Sequence, residues 1–140
     1  MVRDGANVDV TKNYTENQIA TIVVDAALKI HKKFGSGLLE SAYQKVLLIE
    51  LTKRGLSVES EVPIQVEFEG SSIDSGFRAD IVVENSVILE LKAIQKNNII
   101  HKQQLLSYLK LTNLKLGLVI NFGSSLLKDG ICRVVNGLEE

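Results

Sequence analysis

Ala79-Asp80-Ile81-Val82-Val83-Glu84-Asn85-Ser86-Val87-Ile88-Leu89-Glu90-Leu91-Lys92 is the stretch on which the fold of this chain turns. β-Branched and aliphatic residues fill 77–83 and 86–92, and Glu84-Asn85 between them has turn chemistry, so the segment reads as a β-hairpin. Side chains two apart on a strand share a face. Glu90 and Lys92 therefore point the same way, while Ile81, Val83, Leu89 and Leu91 line the other face. Asp80 and Glu90 each stand five residues from Asn85. With the turn centred there they face one another, their Cβ atoms about 5 Å apart. A slip of one residue in the pairing would destroy that arrangement.

Two carboxylates so close repel unless a cation sits between them. A hard divalent ion such as Mg²⁺ suits oxygen ligands and keeps several waters. The Lys92 ammonium would add positive charge where a phosphoryl oxygen or an activated water gathers negative charge. The same residues have a plainer explanation, because an acid-x-Lys triplet also arises by chance as a solvated surface pair. On spacing alone both readings stand.

Working outward, residues 1–14 lack periodicity and read as a flexible lead-in to one domain over 15–140. Thr15 is placed to cap a helix. Ile19, Ile22, Val23, Ala26, Ala27, Ile30 and Phe34 then form an amphipathic stripe that Gly35-Ser36-Gly37 ends. A second helix is expected from about Leu38 to Arg54, with Ala42, Val46, Leu47, Ile49 and Leu51 among its apolar positions. Val62, Ile64, Val66 and Phe68 alternate with Pro63, Gln65 and Glu67, the pattern of a strand with one buried face, and Gly70-Ser71-Ser72 turns the chain. Helical spacing returns from about Asn98 to Leu111, with Leu105, Leu106 and Leu109 on the buried side. Leu116, Leu118, Val119 and Ile120 form a strand buried on both faces, and 131–135 is a candidate last strand. The expected order is α-α-β-β-β-α-β(-β), an α/β (α+β) domain with a central mixed four- to five-stranded sheet flanked by helices.

Two helical motifs carry polar chemistry. In Gly37-Leu38-Leu39-Glu40-Ser41-Ala42-Tyr43, Glu40 and Tyr43 share a face, and Glu40 lies in the first turn, where the helix dipole favours an anion. Glu40 could be no more than a helix-end charge and Tyr43 no more than a core ring. Later, His101, Gln104 and Tyr108 form one stripe beside the leucine face, able to position a phosphate backbone or a water.

Composition narrows the function. The net charge is −1 and the pI about 6.1, unlike proteins that coat nucleic acid by phosphate neutralisation alone. The single Cys132 excludes an intramolecular disulfide and cysteine-rich zinc sites, and fits a reducing cytoplasm. With only His31 and His101 in the chain, a histidine-based zinc site is disfavoured too. The polar N-terminal residues are no signal peptide, and no apolar run reaches the roughly 18 residues of a membrane span. A soluble, cytoplasmic protein without a membrane partner is expected.

Taken together, the motifs resemble those of the GxxExxY proteins, a bacterial and archaeal group assigned to the PD-(D/E)XK nuclease superfamily. The resemblance runs from about Ile19 to Asn121 and follows one order. Gly37, Glu40 and Tyr43 come first, then Phe77-Arg78-Ala79-Asp80, then Glu90-Leu91-Lys92, and last Gln104 with Tyr108, similar to the Q-x-x-x-Y motif of recombination-type nucleases. It implies a restriction-endonuclease-like core. It also implies a metal-dependent nuclease acting on DNA, with Mg²⁺, or Mn²⁺, as cofactor. Asp80 and Glu90 would be metal ligands, with the Leu91 carbonyl a third and Glu40 joining directly or through water. Lys92 would orient or activate the attacking water. Gln104, Tyr108, Tyr43 and His101 would support the site or contact substrate. The residue before Asp80 is Ala79 where the superfamily's namesake has Pro, a change that removes no ligand. A homo-oligomer or a protein partner would supply further surface for gripping a duplex. The competing class is a nucleic-acid- or protein-binding module that keeps the fold without turnover, since activity belongs to a site rather than a fold.

Overall fold

The structure, a computed structural model, describes residues 13–139, so the lead-in expected over 1–14 lies almost wholly outside the described residues. Three helices, α1 (Glu16–Phe34), α2 (Glu40–Lys53) and α3 (Ile99–Thr112), surround a sheet of five strands. These are β1 (Val58–Phe68), β2 (Ser71–Val83), β3 (Val87–Lys92), β4 (Leu116–Asn121) and β5 (Ile131–Val135), in the order β1-β2-β3-β4-β5. Only β3 and β4 run parallel, joined by α3 as the crossover; the other neighbours are antiparallel. The mixed sheet and element order are those expected, and the candidate last strand at 131–135 forms.

Local chemistry explains the ends of the elements. Thr15 accepts from the Gln18 amide while the Gln18 side chain accepts from the Thr15 amide, a capping box that starts α1. Asn98 caps α3 through the Ile100 amide. The sheet divides the core in two. Ile81, Val83, Leu89 and Leu91 pack with Ile19, Val23 and Leu47 from α1 and α2. Val82, Ile88 and Val119 pack with Leu105, Tyr108 and Leu109 from α3. Each buried aliphatic side chain contributes about 1.5–3 kcal/mol relative to leaving it exposed, and together they hold both helix layers to the sheet.

Several expectations need correction. Phe34 and Ile49 are exposed rather than packed, Phe34 at the end of α1 and Ile49 on the outer side of α2. Leu106 is only partly buried, and Tyr108 takes the place beside Leu105 and Leu109. Helix α2 begins at Glu40, not Leu38, because Leu39 keeps an extended backbone. The turn after β1 falls at Glu69-Gly70, whose positive φ angles of 50° and 84° are those of a tight hairpin turn, so β2 begins at Ser71 and is far longer than its β-branched part. Of the alternating residues in β1 only Ile64 is buried, and Phe68, at the outer end of the hairpin, is exposed. The register also shifts between Pro63 and Gln65, which interrupts the period of two.

Candidate active site

The β2–β3 ladder pairs Val83 with Val87, Val82 with Ile88 and Ile81 with Leu89, centring the turn on Asn85. The next pair outward would be Asp80 and Glu90, and there the ladder gives way to side chains. The Leu91 amide donates to Asp80 Oδ2 at 2.8 Å, and the Asp80 amide approaches Glu90 Oε1 at 3.4 Å. Two carboxylates have taken over the pairing of the two strands. The inferred register holds as far as Ile81 and Leu89, and Asp80 and Glu90 meet just beyond it.

Burial shapes their electrostatics. Glu90 is almost wholly buried. Desolvation first, then the Asp80 charge, push its carboxyl from an ordinary 4.5 up to about 8. Asp80 is likewise raised, chiefly by desolvation, while the Leu91 amide and Lys92 oppose the shift. Glu40, in the first turn of α2, is also raised by desolvation, with Lys92 opposing and Asp80 reinforcing. The Ala93 amide, one residue beyond Lys92, stabilises its charged form. Lys92 thus stands among three acids from three elements. Its backbone is fixed as well, since the Phe122 amide donates to the Lys92 carbonyl.

A sign follows for stability. Between pH 4.5 and about 8 the folded protein holds a proton on Glu90 that the unfolded chain has released, so stability falls as pH rises through that window. The slope from one such group is at most about 1.4 kcal/mol per pH unit. In EDTA, the melting temperature is expected to drop across this range in the wild type and to drop less in Glu90→Gln. Equal pH profiles for the two proteins would show that the carboxyl is not held protonated.

From α3, Tyr108 presents a buried ring beside Phe77, centroids 5.7 Å apart. Desolvation, then the Glu90 and Asp80 charges, push its phenol up to about 12, so it stays protonated and able to donate. His101 is held below its ordinary value by desolvation and then by Lys92. Gln104 is partly buried and makes no side-chain hydrogen bond among the described residues. Tyr43 lies elsewhere. Its fully buried ring stacks on Phe122 at 4.4 Å, and its hydroxyl donates to the Gly35 carbonyl and accepts from the Leu38 amide. It braces the 35–38 loop that leads into α2 and Glu40.

Three residues of the site carried no sequence signal. Gln44 donates to the Asp80 carbonyl at 3.0 Å and to Glu61 at 2.9 Å. Glu61 lies across from Asp80 between the pairs Ser60–Ile81 and Val62–Ala79, with φ 53°, a backbone region that costs a non-glycine residue about 1–3 kcal/mol. Its charge raises the proton affinity of both Asp80 and Glu40. Asn121, buried at the end of β4, accepts from the Ile94 and Gly123 amides and donates to the Ile94 carbonyl and Asn97 Oδ1. It pins the 93–97 loop so tightly that a Cβ on Gly123 would lie 2.3 Å from the Ile94 carbonyl oxygen.

Among the described residues no group of three His, Cys, Asp or Glu side chains could hold a metal ion. What the strands offer is the Asp80–Glu90 pair, with Glu40 coupled to it electrostatically rather than completing a cluster of three. The pair fits a hard divalent ion: both donors are oxygens, Glu90 is buried and Asp80 half-buried, and the Asp80 charge raises the cost of charging Glu90.

Among solved structures, the chain is similar to one titled "Crystal structure of SSO0001", with 22% identity over 84% of this chain and 67% of that one. The TM-score of 0.44 is too loose a likeness to bear on function. No curated protein matches the chain. A family model for the PD-(D/E)XK nuclease superfamily matches residues 17–134, a span that holds Glu40, Asp80, Glu90 and Lys92, and the chain belongs to that superfamily.

Proposed function

We propose that the protein is a metal-dependent nuclease of the GxxExxY group that hydrolyses phosphodiester bonds in DNA. The observation that carries this reading is the Asp80–Glu90 pair, with Glu90 buried, at the point where β2 and β3 part, with Lys92 on the same strand as Glu90. Asp80, Glu90 and the Leu91 carbonyl would hold Mg²⁺ or Mn²⁺, with Glu40 reaching it through water. When bound, the ion would polarise the scissile phosphate. Lys92 orients the attacking water and offsets the charge that gathers on the phosphoryl oxygens. Tyr108 keeps its proton beside the carboxylates and donates to water or phosphate, and Gln104 and His101 line the approach from α3. Tyr43 acts at one remove by bracing the 35–38 loop that leads into Glu40. The single cysteine supports a cytoplasmic setting, and among the described residues no helix is long and apolar enough to cross a membrane.

The test is direct. Purified protein is incubated with single- and double-stranded DNA and RNA in Mg²⁺, Mn²⁺ or EDTA. Cleavage of DNA that requires the divalent ion is expected. If no nucleic acid is cut above the EDTA control, the catalytic reading fails and the binding-module alternative takes its place.

A further inference from the structure

Lys92 has a second neighbourhood. It forms part of the wall of a cavity of about 350 Å³ between the start of α3, the 94–98 loop and β5. Ile94, Ile99, Val119 and Ile131 supply apolar walls, while His101 and Lys102 stand on the first turn of α3. The floor is rigid. All four hydrogen-bonding capacities of the Asn121 side-chain amide are used within the 94–123 region, so the cavity is preformed rather than opened by a loop movement. Lys102 forms no ion pair among the described residues, and one acid, Asp129, lies across the space.

Apolar walls, a few fixed polar groups and a volume at the small end of ligand pockets suit one planar heterocycle with its sugar, and the cationic edge suits the attached phosphate. From this the geometry points to a subsite for a single unpaired nucleotide of the substrate strand, seated next to the phosphate that lies at Asp80 and Glu90. The inference rests on the nuclease reading for its substrate class and adds that the strand is engaged unpaired, at a single-stranded stretch or a frayed end. Extracting a nucleotide from an intact duplex costs a few kcal/mol of stacking and pairing, so a closed duplex binds this subsite poorly.

Cys132 makes the test possible without relying on cleavage. It is the chain's only cysteine, it is partly exposed, and it lines the cavity. The rate of N-ethylmaleimide labelling of the wild-type protein is followed against a mixed-sequence single-stranded DNA oligonucleotide and against the same sequence as a hairpin-closed duplex, in EDTA and in Mg²⁺. Single-stranded DNA is expected to slow labelling about elevenfold at ten times its dissociation constant, the factor 1 + [L]/Kd, and closed duplex to leave the rate within twofold. Equal protection by the two, or none by single strands, would overturn the subsite. Protein labelled to completion is then assayed on both substrates where cleavage occurs. Selective loss on single strands supports the subsite, and undiminished cutting of them overturns it. Protection without cleavage of any nucleic acid would keep the subsite and remove the nuclease reading, so the two fail separately.

Discussion

Lys92→Ala is expected to lower metal-dependent DNA cleavage by about 10²- to 10³-fold, the usual cost of deleting one preorganised group that meets transition-state charge. The fold should survive, since the Lys92 side chain is only partly buried and its backbone is held by Phe122 whatever the side chain. Two effects would combine in that loss. Lys92 lowers the proton affinity of Glu40, Asp80 and Glu90, so removing it leaves more of these acids protonated at neutral pH and weakens the metal site. It also withdraws the ammonium from the reacting phosphate. Raising pH and Mg²⁺ together restores the first and not the second, so a loss of at least tenfold should persist at saturating metal. Lys92→Arg keeps the charge but replaces a compact ammonium with a planar fork, and it separates electrostatic support from positioning of a water. Full activity of Lys92→Ala at saturating metal would remove Lys92 from the chemistry.

Tyr43→Ala is expected to have the largest effect on stability, about 3–5 kcal/mol for emptying a fully buried aromatic site. The ring stacks on Phe122, whose amide holds Lys92, so the cavity would open between α2 and the strand that carries the site. Tyr43→Phe isolates the hydroxyl. It leaves the Gly35 carbonyl and the Leu38 amide without their partner, a cost of about 1–3 kcal/mol. Urea unfolding distinguishes the two, with unchanged m-values expected if the unfolded state is unaffected. The Phe variant should also lose activity beyond its stability loss, because the loosened 35–39 loop no longer fixes the start of α2 and with it Glu40. A Phe variant as stable and as active as wild type would show that the hydroxyl is incidental.

The hairpin was legible because a strand repeats every two residues and the turn sets the register, so the symmetry of Asp80 and Glu90 about Asn85 carried over directly into space. The start of α1 was legible for a similar local reason, a Thr and a Gln three apart that bond each other's amides. What stayed hidden depends on contacts distant in sequence. Nothing near Glu61 says that β1 will bring it to Asp80, and nothing near Gln44 says that α2 will aim it at the same carbonyl. The length of the β1–β2 hairpin was hidden by chemistry instead. Ser71, Ser72 and Asp74 are poor strand formers, and they extend there because β1 pairs with them, while Ser75 and Gly76 fall where the register shifts. Glu40 shows that the two readings of a residue need not compete. It is a helix-end charge by position and part of the acidic site through Asp80 and Lys92.

The alternation along β2 and β3 has one more consequence, for what this gene can tolerate over time. Leu89 and Leu91 face the α1–α2 core, while Glu90 between them faces the site. Losing or gaining one codon within either strand would not slide the active site along the sheet. It would exchange the site with the core, burying carboxylates among leucines and turning leucines toward solvent. Length variation in this segment is therefore expected only at the Glu84–Ser86 turn, where the ladder is already open, while substitutions accumulate around a spacing that cannot change.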